Sequence, residues 1–263
     1  MPLFKNQWKK HIRYCGYFFS LLLYELLVYE FDYMIYNYTK IGSFHQKKRL
    51  ENQDSVLGIE NEICSVVALA DGVSSCREGK TGAEITCKAL VNFLIKKGPY
   101  LMRFNKNVIK TLVISSILNE LRKVAKEKMI SIDDLSSTFA VIIYDKIAKK
   151  VMILSLGDSM VLGIKNNNVK VLIYPSDSRE GCYVTTTRSA DTVMKIMILR
   201  SDTFNEYKIF SDGAWKILFN NSAFNQNYKK YNKNGNIENS SLVEFFTDYQ
   251  NVDDCSFSAL KIM

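Results

Sequence analysis

The sequence predicts an α+β layered domain, and three observations carry that expectation. Four short apolar segments, 138–144 (TFAVIIY), 151–156 (VMILSL), 160–164 (MVLGI) and 169–174 (VKVLIY), follow one another across short turns rich in Lys, Asn, Gly and Asp. Such spacing suits antiparallel hairpins and leaves no room for the helix of a βαβ crossover. Upstream, 82–97 and 108–128 carry helical periodicity, so helices are grouped and do not alternate with strands. Finally, 263 residues that are 47% hydrophobic and 24% charged can bury a substantial core, and 12 Gly with 3 Pro exclude collagen-like or disordered classes.

The elements follow in order. Residues 14–24 (YCGYFFSLLLY) form an uncharged run behind the basic KKHIR, but Glu25, Glu30 and Asp32 interrupt it at once. A spanning helix needs about 20 mostly apolar residues, and no small-x-small cleavage site follows as a secretory signal requires. Residues 1–32 therefore read as an apolar extension, either a helix packed on the domain or a poorly ordered segment. Membrane contact through it is the less favoured reading. The folded domain is expected over 33–263. Its first strand is read at 33–43, where aromatic and β-branched residues concentrate, and its second at 63–70 (ICSVVALA), which stops at the turn signal Asp71-Gly72.

In the helix over 82–97, Ala83, Ala89, Leu90, Phe93 and Leu94 mark the buried face. The helix over 108–128 gathers its basic residues toward its C-terminal end, as the macrodipole favours. After the four closely spaced strands come strands at 193–199, 207–210 and 255–262, and helices at 214–219 and 241–249. Rich in Asn and Lys, 220–239 reads as a mobile loop with little core content.

The net charge of +8 is scattered, apart from Lys9-Lys10 and Lys47-Lys48-Arg49, so no nucleic-acid partner is expected. Six cysteines without a C-x-x-C pair, and two histidines (His11 and His45), argue against a Cys/His zinc site and fit a reducing, cytoplasmic setting. A monomer is the expected state.

The informative feature is where the carboxylates fall. Asp71 directly follows VVALA, Asp158 follows VMILSLG, Asp212 follows YKIFS, Asp253 and Asp254 precede the last strand, and Asp54 closes RLENQD. Carboxylates at the ends of buried strands repel one another by several kcal/mol where those ends converge in a low-dielectric site, and a cation is the usual remedy. Hard divalent ions take oxygen ligands and need neither His nor Cys, which suits this histidine-poor chain.

The pattern resembles the metal-dependent type 2C protein phosphatases, a family of serine/threonine phosphatases. G-x-x-H-x-x-x-R-x-x-N-Q-D runs from Gly42 to Asp54. A-D-G-V-S-S…G-K-T-G-A follows over 70–83, then S-S-T-F at 136–139, L-G-D-S at 156–159, F-S-D-G at 210–213 and D-D before the last strand. No single motif is specific, but six occur in family order. The resemblance implies a four-layer sandwich of two antiparallel sheets flanked by helices, with two or three Mg²⁺ or Mn²⁺ ions. It makes Asp71 the carboxylate bridging two metals and the Gly72 carbonyl a further ligand. Asp212 and Asp253 complete the first metal site, and Asp158 shares a weaker third position with Asp212. Gln53 falls at the second metal site. Arg49 matches the arginine that grips the substrate phosphate, and Asp54 the acidic residue beside the metal shell. The implied reaction is hydrolysis of phosphoserine or phosphothreonine in a protein substrate by a hydroxide held between two metals, with no phosphoenzyme.

Several positions depart from the family pattern. Many members carry Glu where this chain has Gln53, which keeps an oxygen donor but loses a charge. A bacterial subgroup with G-x-x-H followed by Q-D is closer. His45 then reads as a structural or supporting residue. Val73 stands where animal members have His, and Met160 where Arg is frequent. One rival reading is a P-loop at 74–81 (SSCREGKT), but Ser74 replaces the needed glycine and Asp71 would repel a phosphate. The other is a catalytically weak pseudophosphatase acting as a binding or regulatory module.

Overall fold

The computed structural model describes residues 35–166, 168–176, 183–220, 223–231 and 237–262. The apolar extension over 1–32 lies outside them. All the described residues fall in one compact unit.

Two five-stranded antiparallel sheets form the centre. The first holds β2 (Asp54–Glu60), β3 (Cys64–Gly72), β4 (Ser137–Asp145), β5 (Lys150–Leu156) and β8 (Lys195–Arg200), in that order. The second runs β1 (Ile35–Lys40), β12 (Cys255–Lys261), β9 (Glu206–Phe210), β6 (Met160–Lys165), β7 (Asn168–Ile173). Outside the first sheet lie two long helices, α2 (Gly79–Leu101) and α3 (Lys106–Lys128). Over the second sheet lie α5 (Asp212–Leu218) and α7 (Asn239–Asp248).

Three apolar clusters fill the gaps between these four layers. One packs Leu90, Leu94 and Ile117 of the helices on Val66, Ala68 and Val141. A second joins the sheets through Val67, Leu69, Ile142, Tyr207 and Ile209. In the third, Phe210 and Phe257 meet Leu242, Phe245 and Phe246. Central strands covered on both faces need apolar residues at every position, which is why β3 and β4 read as unbroken apolar runs and not as alternating ones.

Helix α2 outlasts its expected end at residue 97 by a turn, despite Pro99. Proline removes the N–H that would serve the Ile95 carbonyl, and the Cys64 thiol donates to that carbonyl instead, at 3.5 Å. Helix α3 starts under an Asn105 cap whose side chain accepts from Val108 N. The expected hairpins form at β4–β5 and β6–β7, but β5 and β6 do not pair. Between them the chain leaves one sheet for the other through Gly157. Its φ is +103°, and a Cβ there would lie 2.5 Å from the Thr138 side chain.

Several elements escaped the sequence reading. Besides the short turns Ile132–Leu135 and Ala190–Val193, they are the short α1 (Ser43–Lys48) and β2 itself, a half-buried strand without a strong apolar run. The expected loop over 220–239 needs correction as well. It contains the hairpin of β10 (Phe219–Asn220) and β11 (Ala223–Phe224), then a helical turn, Gln226–Lys229. Tyr228 is fully buried and Ile237 nearly so, and the Tyr228 ring packs on Phe224 and Phe245. The Asn and Lys residues that dominate its composition masked the spaced aromatic residues that anchor it.

Candidate metal centre

Strand register carries the acidic residues to one edge of the sandwich. Asp54 opens β2 directly opposite Asp71 near the end of β3, and Asp71 stands opposite Thr138 near the start of β4. Leu156, the end of β5, lies opposite Phe139, so Gly157-Asp158 emerges at this same end. In the other sheet, Phe210 ends β9 opposite both Met160 and Phe257. That places Asp212, at the start of α5, and Asp253, two residues before β12, at the shared edge. The fit is tight: a Cβ on Gly213 would come within 2.0 Å of the Asp254 carbonyl.

Electrostatics reports the same convergence. Burial first, then the charges of Asp54, Asp212, Asp158 and Asp253, push the Asp71 carboxyl well above the ordinary carboxylate range. Asp54 is 8% exposed, and burial followed by its acidic neighbours pushes it up to about 8, although Ser256 and Ser211 nearby pull it down. Ser256 Oγ donates to Thr39 Oγ1, and Ser211 Oγ accepts from the Ser256 amide. Both Asp54 oxygens are buried without a hydrogen-bond partner, as is Gln53 Oε1. Burial also raises Asp253, with the charge of Asp212 adding to it.

Unpaired buried acceptors cost free energy unless a cation or donor meets them. Oxygen-only donors on Asp71, Asp158, Asp212, Asp253, Gln53 and the Gly72 backbone suit a hard divalent ion in kind. Among the described residues, no three His, Cys, Asp or Glu side chains stand in a ready-made group able to hold one. The side chains would have to draw together on binding.

The structure gives roles to two residues that had none in the sequence reading: Asp254, named there only beside Asp253, and Lys216. Asp254 is 3% exposed and accepts three hydrogen bonds, from Gly42 N (2.7 Å), Gln53 N (2.7 Å) and His45 Nδ1 (2.8 Å). Buried His45 therefore supports the loop 42–53, as its sequence reading expected. The Gln53 carbonyl in turn accepts from Gly72 N (3.1 Å), so a continuous chain of bonds links Asp254 to the end of β3, where Asp71-Gly72 is still paired strand and not the expected turn. Lys216, four residues after Asp212 on α5, pairs with its carboxylate at 2.5 Å. Helical i,i+4 spacing could have revealed Lys216. Nothing in the sequence shows that Asp254 is the buried one of the adjacent pair.

Arg49 sits exposed at the end of α1 in a left-handed conformation (φ 56°) and forms no ion pair among the described residues. The structure keeps it on the loop that Asp254 anchors, without bringing it onto the carboxylates. At the rival P-loop, Lys80 is taken by Glu51 (2.8 Å) and Thr81 Oγ1 by Glu78 (2.7 Å), so neither is presented to a phosphate.

No curated protein matches the chain. Among solved structures, a bacterial serine phosphatase superposes with a TM-score of 0.63 at 17% identity, covering 87% of this chain and 97% of that one. The serine/threonine phosphatase Stp1 from Staphylococcus aureus gives 0.60 at 16% identity, with 87% and 94% covered. RsbX in complex with magnesium gives 0.53 at 12%, with 87% and 94% covered. At such identities the likeness concerns the fold. A family model described as protein phosphatase 2C matches residues 41–247, a span that takes in α1, every candidate ligand except Asp253, and both sheets except β1 and β12. On that match, the chain belongs to the protein phosphatase 2C family.

Proposed function

We propose that this chain is a Mg²⁺- or Mn²⁺-dependent phosphoprotein phosphatase acting on phosphoserine and phosphothreonine, nearest to bacterial members with the Gly-x-x-His…Gln-Asp motif. The observation that carries the reading is the edge to which strand register brings five carboxylates, with three buried oxygens of Gln53 and Asp54 left unpartnered. Asp71, the Gly72 carbonyl, Asp158, Asp212, Asp253 and Gln53 would hold two or three ions. Such ions supply Lewis acidity toward the phosphoryl oxygens and a water activated near neutral pH.

The remaining work falls to the chain itself. Arg49 offers a planar fork of donors suited to two phosphoryl oxygens, and its exposure leaves it open to an incoming phosphoprotein. The Asp254 clamp fixes the loop that carries it. Asp54 lies beside the metal ligands as a buried acid. No cysteine or aspartate nucleophile is required, consistent with direct attack by water. A monomer in the cytoplasm completes the proposal. Among the described residues, no helix is long and apolar enough to cross a membrane.

Two observations favour the second reading, a pseudophosphatase: Lys216 already occupies an oxygen of Asp212, and Gln53 contributes no charge. Hydrolysis of para-nitrophenyl phosphate and a phosphothreonine peptide, in Mn²⁺, Mg²⁺ or EDTA, separates the two. The expected result is metal-dependent phosphate release that Asp71→Asn abolishes while the protein stays folded. Near-normal release by Asp71→Asn refutes the metal-site assignment, and no release by the wild type in millimolar Mn²⁺ selects the pseudophosphatase.

A further inference from the structure

The acidic edge is not left wholly without positive charge. Helix α5 begins at Asp212, and Lys216 stands one turn later on the same face, with Nζ 2.5 Å from Asp212 Oδ2. The charges of Asp158 and Asp253 also act on it, and its own charge acts in return on Asp253. The adjoining Trp215 donates its indole N–H to the Asp158 carbonyl at 2.9 Å, which holds this turn of α5 against the crossing from β5 to β6. The Lys216 ammonium therefore pairs with one proposed metal ligand and feels the charge of two more.

We propose that Lys216 is a built-in counter-cation, a positioning residue that holds Asp212 until a divalent ion displaces it and so sets how tightly the cleft binds metal. The inference rests on the metal-dependent reading above. It follows from two properties of the pair. First, the ammonium and the ion need the same acidic charge, and both cannot keep full contact with Asp212 without mutual repulsion. Second, the pair can be opened: the Lys216 side chain is 53% exposed, so its flexible stem can swing into water at the small cost of breaking a surface ion pair. A divalent ion brings twice the charge and recovers the attraction of several carboxylates at once. In the metal-free protein, Lys216 keeps Asp212 placed; in the loaded protein it stands aside.

Mn²⁺ affinity by isothermal titration tests this on the full chain, for wild type, Lys216→Met and Lys216→Arg, with Asp71→Asn as the reference for a damaged site. Removing one positive charge at about 4 Å in a water-rich cleft tightens binding by about fivefold at least, and by about thirtyfold for a doubly charged ion. Lys216→Met is expected to show this gain, and Lys216→Arg to remain within about twofold of wild type. Wild-type affinity or weaker in a folded Lys216→Met would overturn the proposal and leave Lys216 as an ordinary helix ion pair, while the metal reading survives. Absence of Mn²⁺ binding to wild type and Lys216→Met alike overturns the metal reading and this inference with it.

Discussion

The clamp around Asp254 makes a demand that can be tested without any metal. Its carboxylate is 3% exposed and accepts from two backbone amides and from His45. Asp254→Asn keeps the volume but replaces one accepting oxygen with an NH₂ group. Gly42 N donates to Oδ1, whereas Gln53 N and His45 donate to Oδ2. Whichever way the amide turns, at least one buried N–H faces another donor. An unsatisfied buried donor costs about 1–3 kcal/mol, and losing charge-assisted bonds adds about 1.5–3 kcal/mol. A total of about 3–5 kcal/mol is expected, in line with the cost of breaking a buried charged network. For a domain of this size that lowers the midpoint by roughly 6–20 °C. Urea and thermal unfolding in EDTA measure it directly. His45→Ala should cost less, about 2–3 kcal/mol, since the two backbone bonds survive, and His45→Asn should recover part of that by presenting its Nδ2 near the Nδ1 position. An Asp254→Asn protein within about 0.5 kcal/mol of wild type, the range of an ordinary surface change, would refute the clamp.

Two further predictions concern the loop proposed to bind phosphate and the polar stretch 220–239. Arg49→Ala should raise KM for a phosphothreonine peptide about tenfold or more, the factor for losing about 1.4 kcal/mol of charge-assisted bonding, with a smaller effect on kcat; steady-state kinetics with an unchanged KM would deny it the role of phosphate clamp. Tyr228→Ala should destabilise the fold by about 3–5 kcal/mol, as for other large buried aromatic residues, whereas a mobile 220–239 segment would leave urea unfolding unchanged.

How far the fold was legible depended on how completely each segment is covered. Strands β3, β4 and β5 are sandwiched between helices and the other sheet, so each carries a nearly continuous apolar run (VVALA, FAVIIY, VMIL) and the signal is strong. Strand β2 lies at the edge, half-buried, with Gly58 in its middle, and its propensity is too weak to read. The stretch 220–239 misled for the opposite reason: its contribution to the core comes from a few spaced residues, Phe224, Tyr228 and Ile237, among many polar ones. In the site, Asp71, Asp158 and Asp212 were visible because each ends or follows an apolar run, a placement that register then turns into proximity. Asp254 and Lys216 were not, because their roles depend on contacts across the fold, to a loop some 200 residues earlier in one case and to the acidic edge in the other.

The acidic edge draws on both sheets, and this would tie the proposed metal binding to folding. Asp54, Asp71 and Asp158 belong to ends of the first sheet or leave from it, while Asp212 and Asp253 belong to the second. In the unfolded chain these groups lie far apart and repel little. Packing the sheets face to face brings them together, and an apolar interface containing Val67, Leu69, Ile142 and Ile209 supplies the driving force. Part of that force is spent holding like charges together. A bound ion would remove the repulsion only where both sheets are in place, so its binding energy would add to the stability of the assembled sandwich. The carboxylates are thus a liability for the bare fold and an asset to the loaded one. That is the expected balance for a site whose charges are placed for chemistry rather than for stability.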